Sequence, residues 1–369
     1  MTEPPVTFAE PYGLIENHGP TPVETRSAVM LIAGFSAVVM VVLTLLLPVK
    51  YAVLHPGPVL NTLGQADGKK LIAITGHTTY PTSGQLDLTT VSVVGGPNRK
   101  VFLSQVLAGW LDRSTAVVPE ESIFPPGVTQ KQSDDENQAE MTSSQESATA
   151  AALATLKIPV PTTLTVAGLD PSSPAAGLLK TGDVISAVNG TTITDLEKLR
   201  TVLQAVTAGD PVKVTVRRQG DNRTVTTKTA ASPDDGHTVL GVYINPAFSF
   251  PFSVKIQIED IGGPSAGMMF ALGIIDTLTP GDLTGGKRIA GTGTIDVDGT
   301  VGPIGGIRQK LAGARKAGAR FFIAPADNCN EVRGHVPGGL SVVRTSTLTQ
   351  SRDEVAAIAA GHASGLPTC

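Results

Sequence analysis

The sequence predicts an α+β protein in which one transmembrane helix precedes two folded units. Its 369 residues exceed one ordinary domain, which favours two units with additional segments. The 40 glycines and 27 prolines are typical of a protein rich in strands and turns, while several apolar runs have helical spacing. Residues 27–47 carry no charge and are long enough to cross a bilayer.

The segment Ser27–Leu47 is predicted to be an uncleaved signal anchor. As a helix its 21 residues would measure about 31 Å, enough for the hydrocarbon core. A cleaved signal peptide is the alternative, but residues 48–51 lack a small-x-small cleavage site. Arg26 and Lys50 flank the helix symmetrically, so charge alone does not orient it. We expect residues 1–26 to form a short cytoplasmic tail, and the remainder to be extracytoplasmic at the cell membrane.

Residues 48–157 are predicted to contain a membrane-proximal region and the first part of the larger folded unit. Its expected elements are extended chain at 51–58, strands at 71–75 and 86–94, and a helix at 101–111. The polar, acid-rich stretch 130–146 follows, and we expect its first half to be a surface loop. The Ala-rich residues 147–156 then favour a helix.

A second unit is predicted at residues 158–232. It contains Gly182-Asp183-Val184-Ile185, then the tight-turn pair Asn189-Gly190, then a helical pattern at 196–206 and a strand at 212–217. This series resembles a PDZ domain of the type fused to bacterial proteases. The resemblance implies that the unit holds an extended peptide as an added strand. A small β-rich spacer without a ligand is the alternative.

Residues 233–369 carry the pattern that indicates chemistry. Ser265 lies in a Gly- and Pro-rich turn that enters the apolar run Met268–Leu272. Lys310 borders the apolar stripe of a helical pattern over 306–318. A serine nucleophile needs a base, and a lysine serves only if burial lowers its pKa from about 10.4 toward neutrality. The chain therefore offers both halves of a Ser-Lys dyad.

These residues resemble the motifs of Lon proteolytic domains. The matching segments are Pro264-Ser265-Ala266-Gly267, Thr292-Gly293, Pro303-Ile304-Gly305-Gly306 and Lys310. The resemblance implies that Ser265 is the nucleophile, Lys310 the general base and Thr292 the hydroxyl that orients the lysine, with Thr294 as the competing threonine. The chain departs from the family at Gly262, where many Lon domains have an aspartate; its nearest acid is Asp260.

The residues around Ser265 also predict the local backbone, and the resemblance extends to the domain order. Ser265 is expected to be a helix N-cap residue, and the backbone N–H groups of Gly263, Ser265 and Ala266 to form the oxyanion hole. Residues 141–148 look like a helix found early in Lon proteolytic domains. The PDZ unit would then be inserted into one protease domain built from both flanks, which is inexpensive at a surface loop. Lon-type domains commonly assemble as rings, so a homo-oligomer is also implied.

Several other functions are disfavoured. Gly263-x-Ser265-x-Gly267 fits the nucleophile elbow of α/β-hydrolases, with His335 or His362 available, but the regular strand–helix alternation is missing. Residues 281–287 nearly match a P-loop, yet Arg288 stands where Ser or Thr is needed, so we predict no ATP binding. The six histidines form no H-E-x-x-H motif, and scattered Lys and Arg argue against nucleic acid, so we expect no cofactor or metal.

The overall prediction is a membrane-anchored, ATP-independent serine endopeptidase that cleaves extracytoplasmic proteins or peptides. The PDZ domain would select or present their termini. The alternative is a catalytically degenerate PDZ adaptor or scaffold protein at the membrane. An oxidising compartment would permit a disulfide between Cys329 and Cys369, although two free thiols remain open.

Overall fold

The computed structural model describes residues 25–66, 68–232, 236–258 and 261–369. The helices in this part of the chain are α1 (Thr25–Leu45), α2 (Leu103–Leu111), α3 (Gln130–Thr155), α4 (Leu196–Gln204), α5 (Gly267–Leu278), α6 (Ile307–Lys316), α7 (Cys329–Val332) and α8 (Leu348–Ala359). Short 3₁₀ turns occur at Glu120–Ser122, Ala326–Asn328 and Ala363–Gly365.

The strands of the same residues fall into three stretches of the chain. The first stretch contains β1 (Pro48–Val49), β2 (Tyr51–Asn61), β3 (Gln65–Ala66), β4 (Lys69–Lys70), β5 (Ile72–Thr75), β6 (Gln85–Val94), β7 (Val101–Phe102) and β8 (Ala116–Pro119). The middle stretch contains β9 (Thr162–Leu169), β10 (Val184–Val188), β11 (Thr191–Thr192), β12 (Pro211–Arg218), β13 (Asp221–Lys228), β14 (Ala230–Ala231), β15 (Thr238–Val239) and β16 (Val242–Phe248). The last contains β17 (Ser253–Ile256), β18 (Arg288–Gly291), β19 (Thr294–Ile295), β20 (Val301–Gly302), β21 (Phe321–Pro325) and β22 (Ser341–Thr345).

Helix α1 is long and apolar enough to cross a membrane. Its mean hydropathy is 2.6, it lies near the N-terminus, and none of its residues is buried against the rest of the chain. A signal sequence can have the same length and hydropathy, so this helix is a candidate for either a membrane span or a signal sequence. It begins and ends two residues before the predicted segment Ser27–Leu47.

The main sheet is built from both ends of the chain. Its strand order is β22-β21-β18-β6-β2-β8, with β6, β18, β21 and β22 parallel and β2 and β8 antiparallel to their neighbours. Strands β2, β6 and β8 precede the middle stretch, and the other three follow it. The middle stretch therefore interrupts one domain, which is the insertion that the sequence suggested.

Helices cover both faces of the parallel part of this sheet. Successive residues of a strand point to opposite faces, so Phe322 packs with α6 while Ile323 packs with α3, α5 and α8. Helix α5 is buried along nearly its whole length, which explains the apolar run Met268–Ile275. This burial holds the start of α5 in a fixed position above the sheet.

The middle stretch has a sheet and a core of its own. The strand order is β13-β12-β10-β9-β16, β11 pairs with β10, and the apolar faces of β9, β10 and β12 pack with Leu199 and Leu203 of α4. Asn189 and Gly190 both have positive φ, at 49° and 80°, in the turn from β10 to β11. The Asn-Gly signal thus marks the tight turn that it predicted.

The expectation of a surface loop in the first half of 130–146 is wrong, because the whole stretch belongs to α3. Thr129 and Gln132 exchange hydrogen bonds in a capping box, which satisfies backbone N–H groups at the helix start. Lys131 also pairs with Asp135 one turn later. The Ala-rich C-terminal half packs against α5, so tertiary contacts hold a helix whose first half is polar.

Cys329 and Cys369 form a disulfide in the structure. It joins the start of α7 to the last residue of the chain, with 4.9 Å between the two Cα atoms. Arg333 Nε also donates to the Cys369 carbonyl at 3.0 Å. The C-terminus is therefore held against the larger domain.

Candidate active site

Ser265 lies in the turn that leads into α5. Gly263 has φ +84°, a left-handed conformation that glycine adopts without steric cost. The helix begins at Gly267, and Ala266 occupies the N-cap position. The expectation that Ser265 caps the helix is therefore wrong by one residue, and its side chain is free to point toward α6.

Lys310 reaches Ser265 from α6, with its ammonium group buried. Its Nζ atom donates to Ser265 Oγ at 2.7 Å and to Thr292 Oγ1 at 3.0 Å. Only 2% of the lysine is exposed. Burial lowers the pKa of the Lys310 ammonium from 10.5 to about 7, because the charged form loses its hydration. A lysine with this pKa exchanges a proton near neutral pH.

Thr292 links the serine and the lysine. It follows β18 directly, is fully buried, and its Oγ1 donates to the Ser265 carbonyl at 2.9 Å while accepting from Lys310. It lies between two short strands, since β18 ends at Gly291 and β19 begins at Thr294. The competitor Thr294 pairs with Gly302 in the β19–β20 hairpin. The structure thus brings Thr292, rather than Thr294, to Lys310.

Two glycines are required by close packing around this turn. A Cβ atom at Gly267 would lie 2.6 Å from Ile295 Cγ2, and one at Gly293 would lie 2.8 Å from Val301 Cγ1. The Gly293 N–H donates to the Ser265 carbonyl at 2.9 Å, and the Met268 N–H donates to the Gly293 carbonyl at 3.1 Å. The start of α5 is therefore bonded to the chain between β18 and β19.

Helix α3 supplies two supports that the sequence did not reveal. Ser144 Oγ donates to the Pro264 carbonyl at 2.9 Å. The Asn137 carbonyl accepts from the Gly263 N–H at 2.9 Å. The Gly263 N–H is consequently occupied, which argues against its predicted oxyanion role. Among the described residues, no acceptor is bonded to the N–H groups of Ser265 or Ala266.

A groove of about 540 Å³ opens over Ser265 and Lys310. One wall is β6, whose pairing with β18 ends at Leu88. Within the described part of the chain, no strand pairs with that edge of residues 89–94. The apolar side chains that line the groove include Val91, Val93, Met141 and Ile261. Asp260, the acid closest in sequence to the altered position Gly262, lies outside the described residues.

The alternative motifs have structural explanations. His335 is exposed, and its Nδ1 lies 2.9 Å from the Arg333 carbonyl. Among residues the structure describes, no imidazole hydrogen-bonds to Ser265, as a nucleophile elbow would require. Lys287 of the P-loop-like segment donates to the carbonyls of Ile358 and Ala359 at the end of α8, a favourable place for a cation.

Comparison with known families identifies both units. A model of the Lon protease (S16) C-terminal proteolytic domain matches residues 259–360, and a model of the PDZ domain matches residues 129–229. The chain contains a Lon-type proteolytic domain and a PDZ domain. The Lon match includes Ser265, Thr292 and Lys310.

The chain covers less than a fifth of the length of the Lon proteases that it matches. Lon protease 1 of Bacillus subtilis (strain 168) is 32% identical over 116 residues, which cover 30% of this chain and 15% of that protein. The Lon protease of Roseiflexus castenholzii is 41% identical over 71 residues, which cover 19% of this chain and 9% of that protein. The solved PDZ domain of the SdrC-like protein from Listeria monocytogenes is 22% identical. The match covers 22% of this chain and 85% of that domain, with a TM-score of 0.21.

The spatial limits of the PDZ domain differ from both the match and the sequence prediction. Helix α3 falls within the PDZ match but packs in the core of the Lon-type domain. Strand β16 lies beyond the predicted end at residue 232, yet it pairs with β9 at the edge of the PDZ sheet. The PDZ sheet is therefore completed by residues up to Phe248.

The predicted PDZ residues form its turns and one buried ion pair. Gly182 has φ +91°, and Asp183 is fully buried. Asp183 accepts from Arg218 Nε at 2.7 Å and from the Lys180 N–H at 2.8 Å, and these bonds hold its pKa below the usual range. These residues stabilise the domain, and β16 is one of the two edge strands of its sheet.

The PDZ domain also touches the Lon-type domain at the β19–β20 hairpin. Arg200 of α4 pairs with Asp298 in the β19–β20 hairpin at 2.5 Å. Beside this pair is a pocket of about 310 Å³ between α4, the end of β16 and α3. The hairpin starts two residues after Thr292, so this contact lies close to the candidate dyad in sequence.

Proposed function

We propose that Ser265 and Lys310 form the catalytic dyad of a serine endopeptidase. The 2.7 Å contact between Lys310 Nζ and Ser265 Oγ, in a site that buries the lysine, carries this proposal. A nucleophile within hydrogen-bond distance of its base, with a third group to orient the base, is the expected arrangement. Thr292 is that third group.

The proposed reaction uses neutral Lys310 as the base. Ser265 Oγ attacks the peptide carbonyl carbon while Lys310 Nζ takes the hydroxyl proton. The resulting ammonium then gives a proton to the leaving amine as the C–N bond breaks. A water molecule next attacks the acyl ester and passes its proton to Lys310. The Ser265–acyl bond breaks, the hydroxyl regains a proton and the acid product leaves.

Backbone N–H groups would stabilise the negative oxygen of the tetrahedral intermediate. Those of Ser265 and Ala266 point from the start of α5, where the helix dipole also favours negative charge. The Gly263 N–H is bonded to Asn137, so we leave it out of the proposed oxyanion hole.

We propose that a substrate lies extended along the free edge of β6. Residues 89–94 offer backbone groups to an added strand beside Ser265. Val91, Val93, Met141 and Ile261 favour an apolar side chain next to the cleaved bond. Extended chain is required for this pairing, so flexible termini and unfolded segments are the expected substrates.

The remaining proposals concern location and regulation. Helix α1 would anchor the chain, with the catalytic part outside, where the Cys329–Cys369 disulfide is stable. Cleavage would not need ATP, because Arg288 occupies the P-loop hydroxyl position and pairs with buried Asp87. The PDZ domain would select or present substrate termini at β16.

Cleavage of casein by four purified full-length chains tests the dyad. Wild type and His335→Ala should cleave casein, whereas Ser265→Ala and Lys310→Met should lose activity to background with unchanged circular dichroism. Cleavage by Lys310→Met would refute the dyad. A wild-type chain that is folded but cleaves nothing would instead support the PDZ adaptor.

Removal of the PDZ domain tests its proposed role separately. Joining Pro159 to Phe250 by a short Gly-Ser linker removes β9 to β16 and leaves α3 in place. This variant should hydrolyse a short fluorogenic peptide like wild type but cleave casein more slowly. Equal casein cleavage would show that the PDZ domain does not select this substrate.

A further inference from the structure

Helix α2 presents large apolar side chains to solvent. Leu107, Trp110 and Leu111 lie at helical spacing on one face, and Trp110 and Leu111 are 63% and 87% exposed. Phe102, which precedes the helix, is also exposed. Such a patch on one short helix indicates a contact that the isolated chain does not make.

This face is adjacent to the end of α1. Strand β1 follows α1 after two residues and pairs with β7, placing Pro48 opposite Phe102. The Leu103 N–H, at the first residue of α2, donates to the Leu47 carbonyl at 3.0 Å. A hydrogen bond therefore joins the start of α2 directly to the segment that follows α1.

The other face of α2 fixes its orientation on the Lon-type domain. Val106 is buried in a small cluster with Val53 and Val101. A Cβ atom at Gly109 would lie 2.8 Å from Val117 Cγ2, so the helix packs directly on β8. Since these contacts hold one side, the exposed apolar side cannot turn inward without breaking them.

Basic and aromatic residues are close in sequence to β1, β7 and α2. Lys50 follows β1, Lys100 precedes β7 and Arg113 follows α2, and all three are exposed, as is Tyr51. The Asp112 carboxylate accepts from the backbone N–H and hydroxyl of Ser114, within its own loop. Lysine, arginine and aromatic side chains beside an apolar face are typical of contact with anionic headgroups.

We propose that α2 lies on the lipid bilayer that α1 spans. Leu107, Trp110 and Leu111 enter the boundary between headgroups and acyl chains, while Lys50, Lys100 and Arg113 contact lipid phosphates. The proposal rests on the proposed anchor, because the end of α1 places this face at the membrane surface. We favour the bilayer over a protein partner because the anchor α1 would keep the exposed face of α2 at the membrane surface.

Trp110 is the single tryptophan of the chain, so its fluorescence reports on α2 directly. The full-length chain is reconstituted in vesicles of phosphatidylcholine and phosphatidylglycerol, with and without brominated acyl chains. Brominated lipid should remove most of the Trp110 emission, and aqueous iodide should remove little. Emission that iodide quenches and brominated lipid does not would overturn the proposal.

A matched control moves the tryptophan to another site of equal exposure. Tyr243 on the PDZ edge strand is 64% exposed, compared with 63% for Trp110. The double variant Trp110→Phe/Tyr243→Trp should be quenched by iodide and not by brominated lipid. Equal quenching of both tryptophans by brominated lipid would contradict a specific contact of α2.

Flotation of the same vesicles distinguishes the proposed membrane anchor α1 from the proposed lipid contact of α2. Chain that floats with the vesicles while Trp110 stays accessible to iodide would retain the anchor and refute the lipid contact of α2. Chain that does not float would refute the anchor and, with it, this placement of α2. Casein cleavage by the same sample reports the dyad independently.

Discussion

The low pKa of Lys310 results from its burial and not from its position in a motif. The helical pattern places it at the border of an apolar stripe, where a lysine usually extends its amine into water. In the structure it is 2% exposed and faces Ser265 and Thr292 instead. Desolvation penalises its charged form, so its pKa falls to about 7.

The rate of peptide hydrolysis should therefore rise with pH through about 7. Below the pKa of Lys310 the amine is protonated and cannot accept the serine proton; above it the base is neutral. The profile of kcat/KM for a fluorogenic peptide measures this limb in the free enzyme. Thr294→Ser, which lies outside the dyad contacts, should show the same limb, whereas an optimum near pH 5 would exclude a lysine base.

The residues of the proposed dyad carry sequence signals, whereas the residues that support their turn do not. Ser265, Thr292 and Lys310 lie in short motifs with regular spacing, so the sequence identifies them. Ser144 and Asn137 contact the same turn across about 120 positions, and only the folded chain brings them together. The backbone carbonyl that Asn137 uses carries no sequence signal at all.

Helix α8 contains a carboxyl group that is buried with one oxygen unpaired. Glu354 Oε1 accepts from Gln350 Nε2 at 2.9 Å, and Oε2 has no partner among the described residues. Burial raises the pKa of Glu354 from 4.5 to about 7. The folded state therefore holds a proton that the unfolded state releases between these two values.

Replacing Glu354 by glutamine should stabilise the protein above pH 7. Stability of the wild type falls as pH rises from 4.5 to 7, since the folded state binds more protons there, and the full penalty persists above 7. Glu354→Gln removes roughly 1–3 kcal/mol of this penalty at pH 8 and little at pH 4. Urea unfolding at both pH values measures the difference.

Asp353 provides the control for this substitution. Its side chain is 62% exposed on the same helix and pairs with Arg352. Asp353→Asn should change the free energy of unfolding little at either pH. A gain for Glu354→Gln that is equal at pH 4 and pH 8 would argue against the titration of Glu354.

Element types were predictable where one local signal dominates. The helix at 101–111 and the strands at 86–94 and 212–217 agree with the structure to within a few residues. The polar start of α3 was taken for a loop because its helix is held by a capping box and by distant packing. Strand β16 was left outside the PDZ domain because its partner β9 lies more than 70 positions earlier.

At the scale of the whole molecule, the inserted PDZ domain and the divided Lon-type domain followed from motif resemblance rather than from periodicity. The sequence does not orient the molecule in the membrane, because one basic residue lies near each end of α1, Arg26 in its first turn and Lys50 after its last residue. The disulfide between Cys329 and Cys369 offers an independent test, since it depends on an oxidising compartment.

Thiol labelling of intact cells should therefore reveal Cys329 and Cys369 only after reduction. The two residues are the only cysteines, so an impermeant maleimide reports on them alone. Labelling after reduction supports an external disulfide, whereas labelling without it indicates free external thiols. Labelling only after lysis would place the Lon-type domain in the cytoplasm and refute the proposed topology.

A membrane contact at α2 would also determine how far the groove over Ser265 lies from the bilayer. Strand β6 runs from Val94, which pairs with Val53 near α2, to Thr89 at the groove. Five residues of strand span at most about 17 Å. On this proposal the groove lies close to the bilayer, and membrane-proximal segments of other proteins would reach it most readily.

Covalent capture of the nucleophile tests the central claim most directly. A fluorophosphonate probe, followed by peptide mass spectrometry, should modify Ser265 alone in the full-length chain, at a rate that rises as pH passes about 7. Lys310→Met should abolish the adduct while leaving circular dichroism unchanged. An adduct on another serine, or undiminished modification of Ser265 in Lys310→Met, would contradict a Ser-Lys dyad.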